Sequence, residues 1–313
     1  MYYIGIDLGG TNVAIGIVNE KGEIFKKGSV PTPKNGSDAV IEAICDLTKK
    51  LICDMKLSKE DISGIGIGCP GIVDNNEGII RHLSNLGMTG VNLRKELSER
   101  LGINKISIEN DANAAAMGEY KLYGNDEKSF IFVTLGTGVG GGIIIDKKVY
   151  SGFNGAGAEI GHLIIEADGI ECSCGCSGCW ERYASVTALC EFTKKAMEEN
   201  PDSLMHKWVK ENGKINGRCA FDCAKMGDKA AKEVVDLYIH YVATGLISII
   251  NVFQPEKIVI GGGISKEGDY LLNPLKEQVY QCKYNNYVQK CKLEIAKLFN
   301  DAGIIGAAFC AMN

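Results

Sequence analysis

Two copies of one strand–turn–strand pattern, about half the chain apart, constrain the fold of this sequence more than any other feature. Near the start, apolar runs over residues 2–8 and 13–18 flank the turn Leu8-Gly9-Gly10-Thr11. The same order returns later, where residues 130–135 and 142–145 flank the turn Leu135-Gly136-Thr137-Gly138. Apolar runs bounded by glycine predict strands joined by tight turns. Their recurrence predicts two similarly built α/β domains.

The segments around the two copies predict further strands and helices. Residues 23–30 predict a third strand, which would complete a β-meander, and Ser37 begins an apolar stripe of helical spacing. The remaining predicted elements are strands over residues 62–69, 105–108 and 257–260 and helices over residues 112–120 and 302–312. We place the domain boundary inside the first of these helices. Residues 1–113, joined by the C-terminal helix 301–313, would form a small α/β domain, and residues 114–300 a large one.

Charge and hydropathy argue against two classes of protein. The chain has 34 basic and 39 acidic residues, a net charge of -5 and no long basic block, which disfavours a nucleic-acid surface. Asp7 falls where a signal peptide would continue its apolar run, so we expect a cytoplasmic protein. The longest other apolar stretch, residues 242–253, contains Thr244, Ser248 and Asn251. It is too short and too polar to cross a bilayer and predicts a buried core helix.

Three glycine-rich turns indicate a phosphate site. Besides the two repeated turns, Gly261-Gly262-Gly263 follows the predicted strand 257–260. Such turns let backbone N–H groups approach an anion closely. One turn alone is more typical of a plain hairpin, but three together favour a bound nucleotide. Asp7 is either a Mg²⁺ ligand or an ordinary aspartate at the end of a strand.

A cluster of cysteines indicates a zinc site. Of the 13 cysteines, four lie in the run Cys172-Ser173-Cys174-Gly175-Cys176-Ser177-Gly178-Cys179, and His162 lies shortly before them. One histidine and three thiolates can complete a tetrahedral zinc site, which would be closed and structural. Disulfides are the alternative, and a reducing compartment disfavours them. The spacing alone leaves open which cysteine is the spare one.

Taken together, these motifs resemble those of the ROK family of sugar kinases and sugar-responsive repressors. Glu159-Ile160-Gly161-His162 is similar to the family's E-x-G-H motif, and residues 172–181 to its C-x-C-G-x-x-G-C-x-E motif. The resemblance covers essentially the whole chain and implies the two-domain actin/hexokinase-like ATPase fold, which is ribonuclease H-like and carries a duplicated β-meander plus helices. It implies binding of ATP with Mg²⁺ by Asp7, Gly9, Gly10, Thr11, Asn12, Gly136, Thr137, Gly138, Gly261, Gly262 and Gly263.

The resemblance also implies roles for the remaining motif residues. Zinc would be held by His162, Cys172, Cys174 and Cys179 in the loop 159–181, with Cys176 as the extra cysteine. Asp111 would be the catalytic base, although an Asn-Asp pair before an alanine-rich helix is also a good N-cap. The implied sugar ligands are Asn85, Asn110, Asp111, Glu159, His162 and Glu181.

The activity implied by the resemblance is ATP-dependent phosphorylation of a hexose. The run over residues 154–162 looks most like that of the family's glucokinase members, which favours glucose. N-acetylmannosamine, N-acetylglucosamine, mannose, allose and fructose are the alternative acceptors. A sugar-responsive repressor is the third reading, and the position of Asp7 leaves no room for an N-terminal DNA-binding domain before the first phosphate turn. Family members are often dimers or tetramers, so we expect a homo-oligomer without nucleic-acid or membrane partners.

Overall fold

The computed structural model describes residues 1–83, 86–124 and 126–312 of the chain. Asn85, one of the implied sugar ligands, lies outside these residues. The strands are β1 Tyr2–Leu8, β2 Asn12–Asn19, β3 Ile24–Pro31, β4 Ile62–Cys69, β5 Ile72–Asp74, β6 Ile79–His82, β7 Ile106–Asn110, β8 Ser129–Leu135, β9 Val139–Ile145, β10 Lys148–Val149, β11 Lys257–Gly261 and β12 Lys292–Ile295. The helices are α1 Ser37–Asp54, α2 Leu93–Leu101, α3 Asp111–Tyr123, α4 Glu181–Ala184, α5 Val186–Glu199, α6 Leu204–Asn212, α7 Cys219–Lys225, α8 Lys229–Phe253, α9 Asp269–Tyr280 and α10 Ala302–Met312.

The first sheet is a meander extended by two parallel strands. Its order is β3-β2-β1-β4-β7, with β1, β2 and β3 antiparallel and β4 parallel to both β1 and β7. The central strands are apolar on both faces, and Ile4, Ile6 and Ile67 have no exposed surface. This is the pattern expected of strands that are covered by other elements on both sides.

The second sheet repeats the layout of the first. Its order is β10-β9-β8-β11-β12, so a small meander is again followed by two further strands, of which β11 and β12 are parallel. In both sheets the first hairpin has three residues between its strands, Gly9 to Thr11 in one and Gly136 to Gly138 in the other. The predicted duplication of an α/β unit is therefore confirmed.

The chain separates into two compact units. The first contains Met1–Phe132, Gly142–Ala158 and Lys297–Asn313, and the second contains Val133–Gly141 and Glu159–Ala296. Helix α3 and helix α10 thus belong to the first unit, and the cysteine-rich loop belongs to the second. The division into domains at residues 113 and 114 stays a proposal.

Helix α10 packs on the first sheet at unusually close range. A Cβ atom added to Gly5 of β1 would collide with the carbonyl of Ile304, and one added to Gly66 of β4 would collide with that of Ala307. Gly306 approaches α3 in the same way, against the carbonyl of Ala114. Glycine is needed at these three positions because backbone meets backbone. The start of α3 is thereby held firmly within the first unit.

Helix α8 is the central helix of the second unit. The apolar stretch 242–253 is its C-terminal part, and the helix begins much earlier, at Lys229. By length and composition alone α8 is long and apolar enough to cross a membrane, although the stretch 242–253 by itself is too short. However, 56% of the most apolar 18 residues of α8 are buried inside the protein, as expected for a core helix.

Candidate active site

Asp111 is the first residue of α3, directly after the last residue of β7. The cap of this helix is its neighbour, because Asn110 Oδ1 accepts hydrogen bonds from Ala112 N at 2.9 Å and Asn113 N at 3.2 Å. Asp111 Oδ1 accepts a second bond from Ala112 N, at 2.8 Å. Of the Asn-Asp pair, Asn110 is therefore the residue that caps the helix, which leaves Asp111 for the catalytic role expected from the sequence.

Two carboxylates of the first unit, Asp111 and Asp7, have raised pKa values. Burial raises the pKa of Asp111 above its ordinary value, and hydrogen bonds from backbone N–H groups lower it in part. Burial, and then the like charge of Asp111, raise the pKa of Asp7 to about 6. Helix α10 begins beside Asp7, since a Cβ added to Gly303 would lie 2.7 Å from Asp7 Oδ2. A pair of desolvated carboxylates favours a bound cation, so Asp7 fits the role of a Mg²⁺ ligand.

A third carboxylate, that of Glu109, accepts hydrogen bonds from residues at the start of α3. Glu109 is buried, and its Oε1 accepts from Asn110 N at 2.9 Å and from Asn113 Nδ2 at 3.0 Å. Its Oε2 accepts from Asn75 Nδ2 at 2.6 Å. Burial raises the pKa of Glu109, and these three bonds oppose that shift. Glu109 thus joins the segment after β5 to the residues on either side of Asp111.

The first phosphate turn is closed by one backbone bond and one side-chain bond. Gly9 N donates to Asn12 O at 3.0 Å, and Thr32 Oγ1 donates to Gly9 O at 2.7 Å. Lys34 Nζ donates to Gly10 O and so places a positive charge at the turn. Thr11 and Asn12 are exposed there. A glycine turn with a neighbouring cation is suited to a phosphate group.

The second phosphate turn is also closed by a backbone bond, but between residues two positions apart instead of three. Gly136 N donates to Gly138 O at 3.0 Å. The third glycine cluster lies next to it, since a Cβ added to Gly262 would collide with the backbone of Leu135. Gly262 has a φ of 82°, which favours glycine, and Gly261 ends β11 just before it. The structure therefore brings two of the predicted glycine motifs together in the second unit.

A mostly apolar cavity opens beside the second turn. Its volume is about 410 Å³, and its lining includes Thr137, Val186, Thr187, Cys190 and Ile215. Pockets that take small ligands usually have volumes of roughly 300–1,000 Å³. The cavity is thus large enough for a heterocyclic ring next to a turn that suits its phosphates.

The four predicted zinc ligands lie together in the second unit. One ligand atom from each of His162, Cys172, Cys174 and Cys179 lies within 4.8 Å of all the others. Cys172 Sγ is 3.7 Å from His162 Nδ1, and Cys174 Sγ is 3.5 Å from Cys179 Sγ. Tetrahedral zinc with Zn–S bonds of about 2.3 Å places its ligand atoms about 3.8 Å apart. The donor set and its spacing fit zinc, and Cys176 is not part of this group.

The predicted sugar ligands lie in two places. Asn110 and Asp111 belong to the first unit, and Glu159, His162 and Glu181 belong to the second. Glu159 directly precedes the short helical turn Ile160–His162, and Glu181 begins α4 directly after the cysteine loop. Glu181 also has a structural contact, because its Oε2 accepts from Val139 N at 3.1 Å.

Similarity to known proteins agrees with this geometry. The model of the ROK family matches residues 3–313. The chain belongs to the ROK family. Among its ROK relatives, the protein named glucokinase from Halalkalibacterium halodurans is 36% identical over 98% of this chain and 94% of its own length. The glucokinase from Thermotoga maritima is 37% identical over 97% of this chain and 95% of its own length.

A solved ROK structure has the same fold. The ROK family glucokinase from Streptomyces griseus, in complex with glucose and AMPPNP, superposes with a TM-score of 0.86 at 32% identity. The match covers 100% of this chain and 99% of that one. The actin/hexokinase-like ATPase fold implied by the sequence is therefore confirmed.

Three residues that contact the predicted site residues were absent from the sequence prediction. Glu109 stands directly before the Asn-Asp pair. An acidic residue at the end of an apolar strand was the only sequence signal that could have marked it. Lys34 and Thr187 are exposed and lie far along the chain from the turns they contact. No local pattern marks either residue, because the contact exists only once the sheets have formed.

Proposed function

We propose that the chain transfers the γ-phosphoryl group of ATP to the primary hydroxyl of glucose, with Asp111 as the general base. The observation that carries this proposal is the division of roles at the start of α3. Asn110 caps the helix, so the half-buried Asp111 carboxylate is not needed as a cap. Burial raises the pKa of Asp111, which makes it a stronger base than an ordinary aspartate.

In the proposed reaction Asp111 accepts the proton of the sugar hydroxyl. The hydroxyl oxygen forms a bond to the γ-phosphorus while the bond from that phosphorus to the β-phosphate oxygen breaks, and ADP leaves. The turns at residues 9–12 and 136–138 present N–H groups to the phosphates, and Lys34 adds a positive charge at the first turn. Bound Mg²⁺, for which Asp7 is the proposed ligand, would neutralise charge on the phosphates.

The sugar would be positioned by polar side chains. Asn110, Glu159, His162 and Glu181 are the proposed partners of its ring hydroxyls. Zinc bound by His162 and the cysteines would have a structural part, because four protein ligands leave no open position. The cavity beside Thr137 would take the adenine ring of ATP. Glucose is the proposed acceptor because the most similar relatives described above are named glucokinases.

The experiment is a coupled ADP-release assay on the wild-type chain and on Asp111→Asn. We expect the wild type to phosphorylate glucose faster than mannose, fructose, allose, N-acetylglucosamine or N-acetylmannosamine. The variant keeps the shape of the side chain but not its basicity, so kcat should fall by about 10²–10⁴-fold. The melting temperature and zinc content should stay the same.

The matched control is Asp38→Asn. Asp38 lies in the first turn of α1, as Asp111 does in α3, but its side chain is 91% exposed. Its loss removes a similar charge from a helix start and should leave kcat unchanged. Full turnover by Asp111→Asn would refute the assignment of the base. Faster turnover of an N-acetylated sugar than of glucose would refute the acceptor.

Two broader expectations accompany this function. We propose that the reaction takes place in the cytoplasm and that the chain forms a dimer or tetramer. Sedimentation equilibrium of the purified chain measures the second of these directly. The same assay with ADP or polyphosphate in place of ATP would measure how strictly the enzyme selects its phosphoryl donor.

A further inference from the structure

The chain that leaves the cysteine loop runs directly to the second phosphate turn. Cys179 is followed by the buried Trp180, by α4 and then by Ser185, which caps α5. At the start of α5, Val186 N donates to Gly136 O at 2.8 Å. The next side chain, Thr187, donates from Oγ1 to Thr137 O at 2.7 Å. Two consecutive carbonyls of the turn are thereby held by the beginning of one helix.

The other side of the turn is held by the two signature motifs of the loop. Glu181 Oε2 accepts from Val139 N at 3.1 Å, and a Cβ added to Gly138 would collide with the same oxygen. From the E-x-G-H motif, Gly161 packs so closely that an added Cβ would collide with Val139 O. The turn is therefore held by the start of α5 at Gly136 and Thr137, and by the loop motifs at its other end.

The segment between the cysteines and the turn is itself anchored. Trp180 has no exposed surface, and its Nε1 donates to Tyr241 O of α8 at 2.8 Å. A Cβ added to Gly245, one turn further along α8, would collide with the indole ring. The position of Trp180 on α8 thus sets the position of Glu181 beside it. Because Trp180 and Glu181 directly follow Cys179, this anchored segment connects the cysteine loop to the turn.

We propose that Thr187 and Glu181 are positioning residues for the nucleotide, through which the zinc loop orders the second phosphate turn as well as the sugar site. This inference rests on the proposed function for the identity of the nucleotide, ATP. Its physical basis is that a turn binds phosphate well only when its N–H groups are already fixed in direction. Glu181 would serve both substrates, because one of its oxygens is bonded to the turn.

The test is Thr187→Val, which removes the hydroxyl but keeps the shape of the side chain. Thr187 is exposed, so the variant should fold normally. Loss of one hydrogen bond that holds the turn should weaken binding of AMPPNP, measured by calorimetry, by about fivefold. The KM for ATP should rise by a similar factor, while the KM for glucose stays within about twofold of the wild type. Thr187→Ser, which restores the hydroxyl, should recover the wild-type affinity.

The matched control is Thr244→Val. Thr244 Oγ1 also donates to a backbone carbonyl, that of His240 within α8, but it has no contact with the turn. AMPPNP affinity should be unchanged in this variant. Equal AMPPNP affinity in Thr187→Val and the wild type, or an equal rise of both KM values, would overturn the inference. Because AMPPNP binding needs no sugar, failure to phosphorylate any hexose would count against the proposed function alone.

Discussion

The buried Glu109 carboxylate provides the sharpest test of how the fold supports the base. We expect Glu109→Ala to lower the free energy of unfolding by about 3–4 kcal/mol. The substitution removes the acceptor of Asn113 Nδ2, a buried donor, and those of Asn110 N and Asn75 Nδ2, which are half-buried. An unsatisfied buried donor costs about 1–3 kcal/mol, and water can replace part of the loss at the two half-buried sites.

Glu109→Gln should behave quite differently. Its Oε1 keeps the bonds from Asn110 and Asn113, and only the bond from Asn75 is lost. The loss of a buried charge offsets much of that cost, because desolvation of an ion costs several kcal/mol. We therefore expect a change of at most about 1 kcal/mol at neutral pH. Without its bond to residue 109, the side chain of Asn75 would no longer be fixed, and the segment that carries Asp111 could shift. A shift of Asp111 by about 1 Å would lower kcat up to roughly 10²-fold.

The pH dependence of stability separates these two variants further. Because the pKa of Glu109 is raised on folding, its protonated form contributes stability that is fully present below the unfolded value of about 4.3. That stability is lost as the pH rises through the folded-state pKa. Glu109→Gln does not titrate, so its stability relative to the wild type should increase as the pH rises from about 4 through the folded-state pKa of Glu109.

Urea unfolding at several pH values measures these differences, and the coupled assay measures kcat. The control is Glu96→Ala, which removes an exposed carboxylate of α2 that is paired with Arg100 at 3.0 Å. It should cause no measurable loss of stability. A loss below about 1 kcal/mol in Glu109→Ala would refute the reasoning, because the three donors would then have found other partners.

Two further predictions concern packing and metal. Gly66→Ala should destabilise the first unit by at least about 1–3 kcal/mol, since the new Cβ meets the backbone of Ala307, whereas Gly64→Ala in the same strand meets Lys105 O only at 3.3 Å. Thermal unfolding compares the two variants, and equal melting temperatures would contradict the close packing of α10 on β4. The purified chain should contain one zinc per molecule by elemental analysis, and removal of the metal with a chelator should weaken binding of glucose measured by calorimetry. Unchanged glucose affinity in the metal-free chain would contradict a part for zinc in ordering the loop, and zinc content near zero would contradict the site itself.

Short-range spacing was enough to predict much of the candidate site. The glycines at residues 9–10 and 136–138 predicted the two hairpins, and the structure has a three-residue turn closed by a backbone bond in each. The histidine and cysteines predicted a tetrahedral donor set, and their ligand atoms do converge. Both outcomes depend on turn geometry within a few residues, which sequence specifies directly.

The sequence alone determined the repeated α/β unit, the glycine turns and the histidine–cysteine cluster, because each depends on neighbours along the chain. Tertiary structure decided which residues support them. The bond from Asn75 to Glu109 spans 34 residues, that from Val139 to Glu181 spans 42, and that from Thr187 to Thr137 spans 50. Such partners are chosen by the packing of strands and helices, since a carboxylate or hydroxyl bonds to whichever group the fold brings within about 3 Å. The helix start at Asp111 and the convergence of the histidine and cysteine ligand atoms could thus be predicted from sequence, whereas the contacts that hold them in place could not.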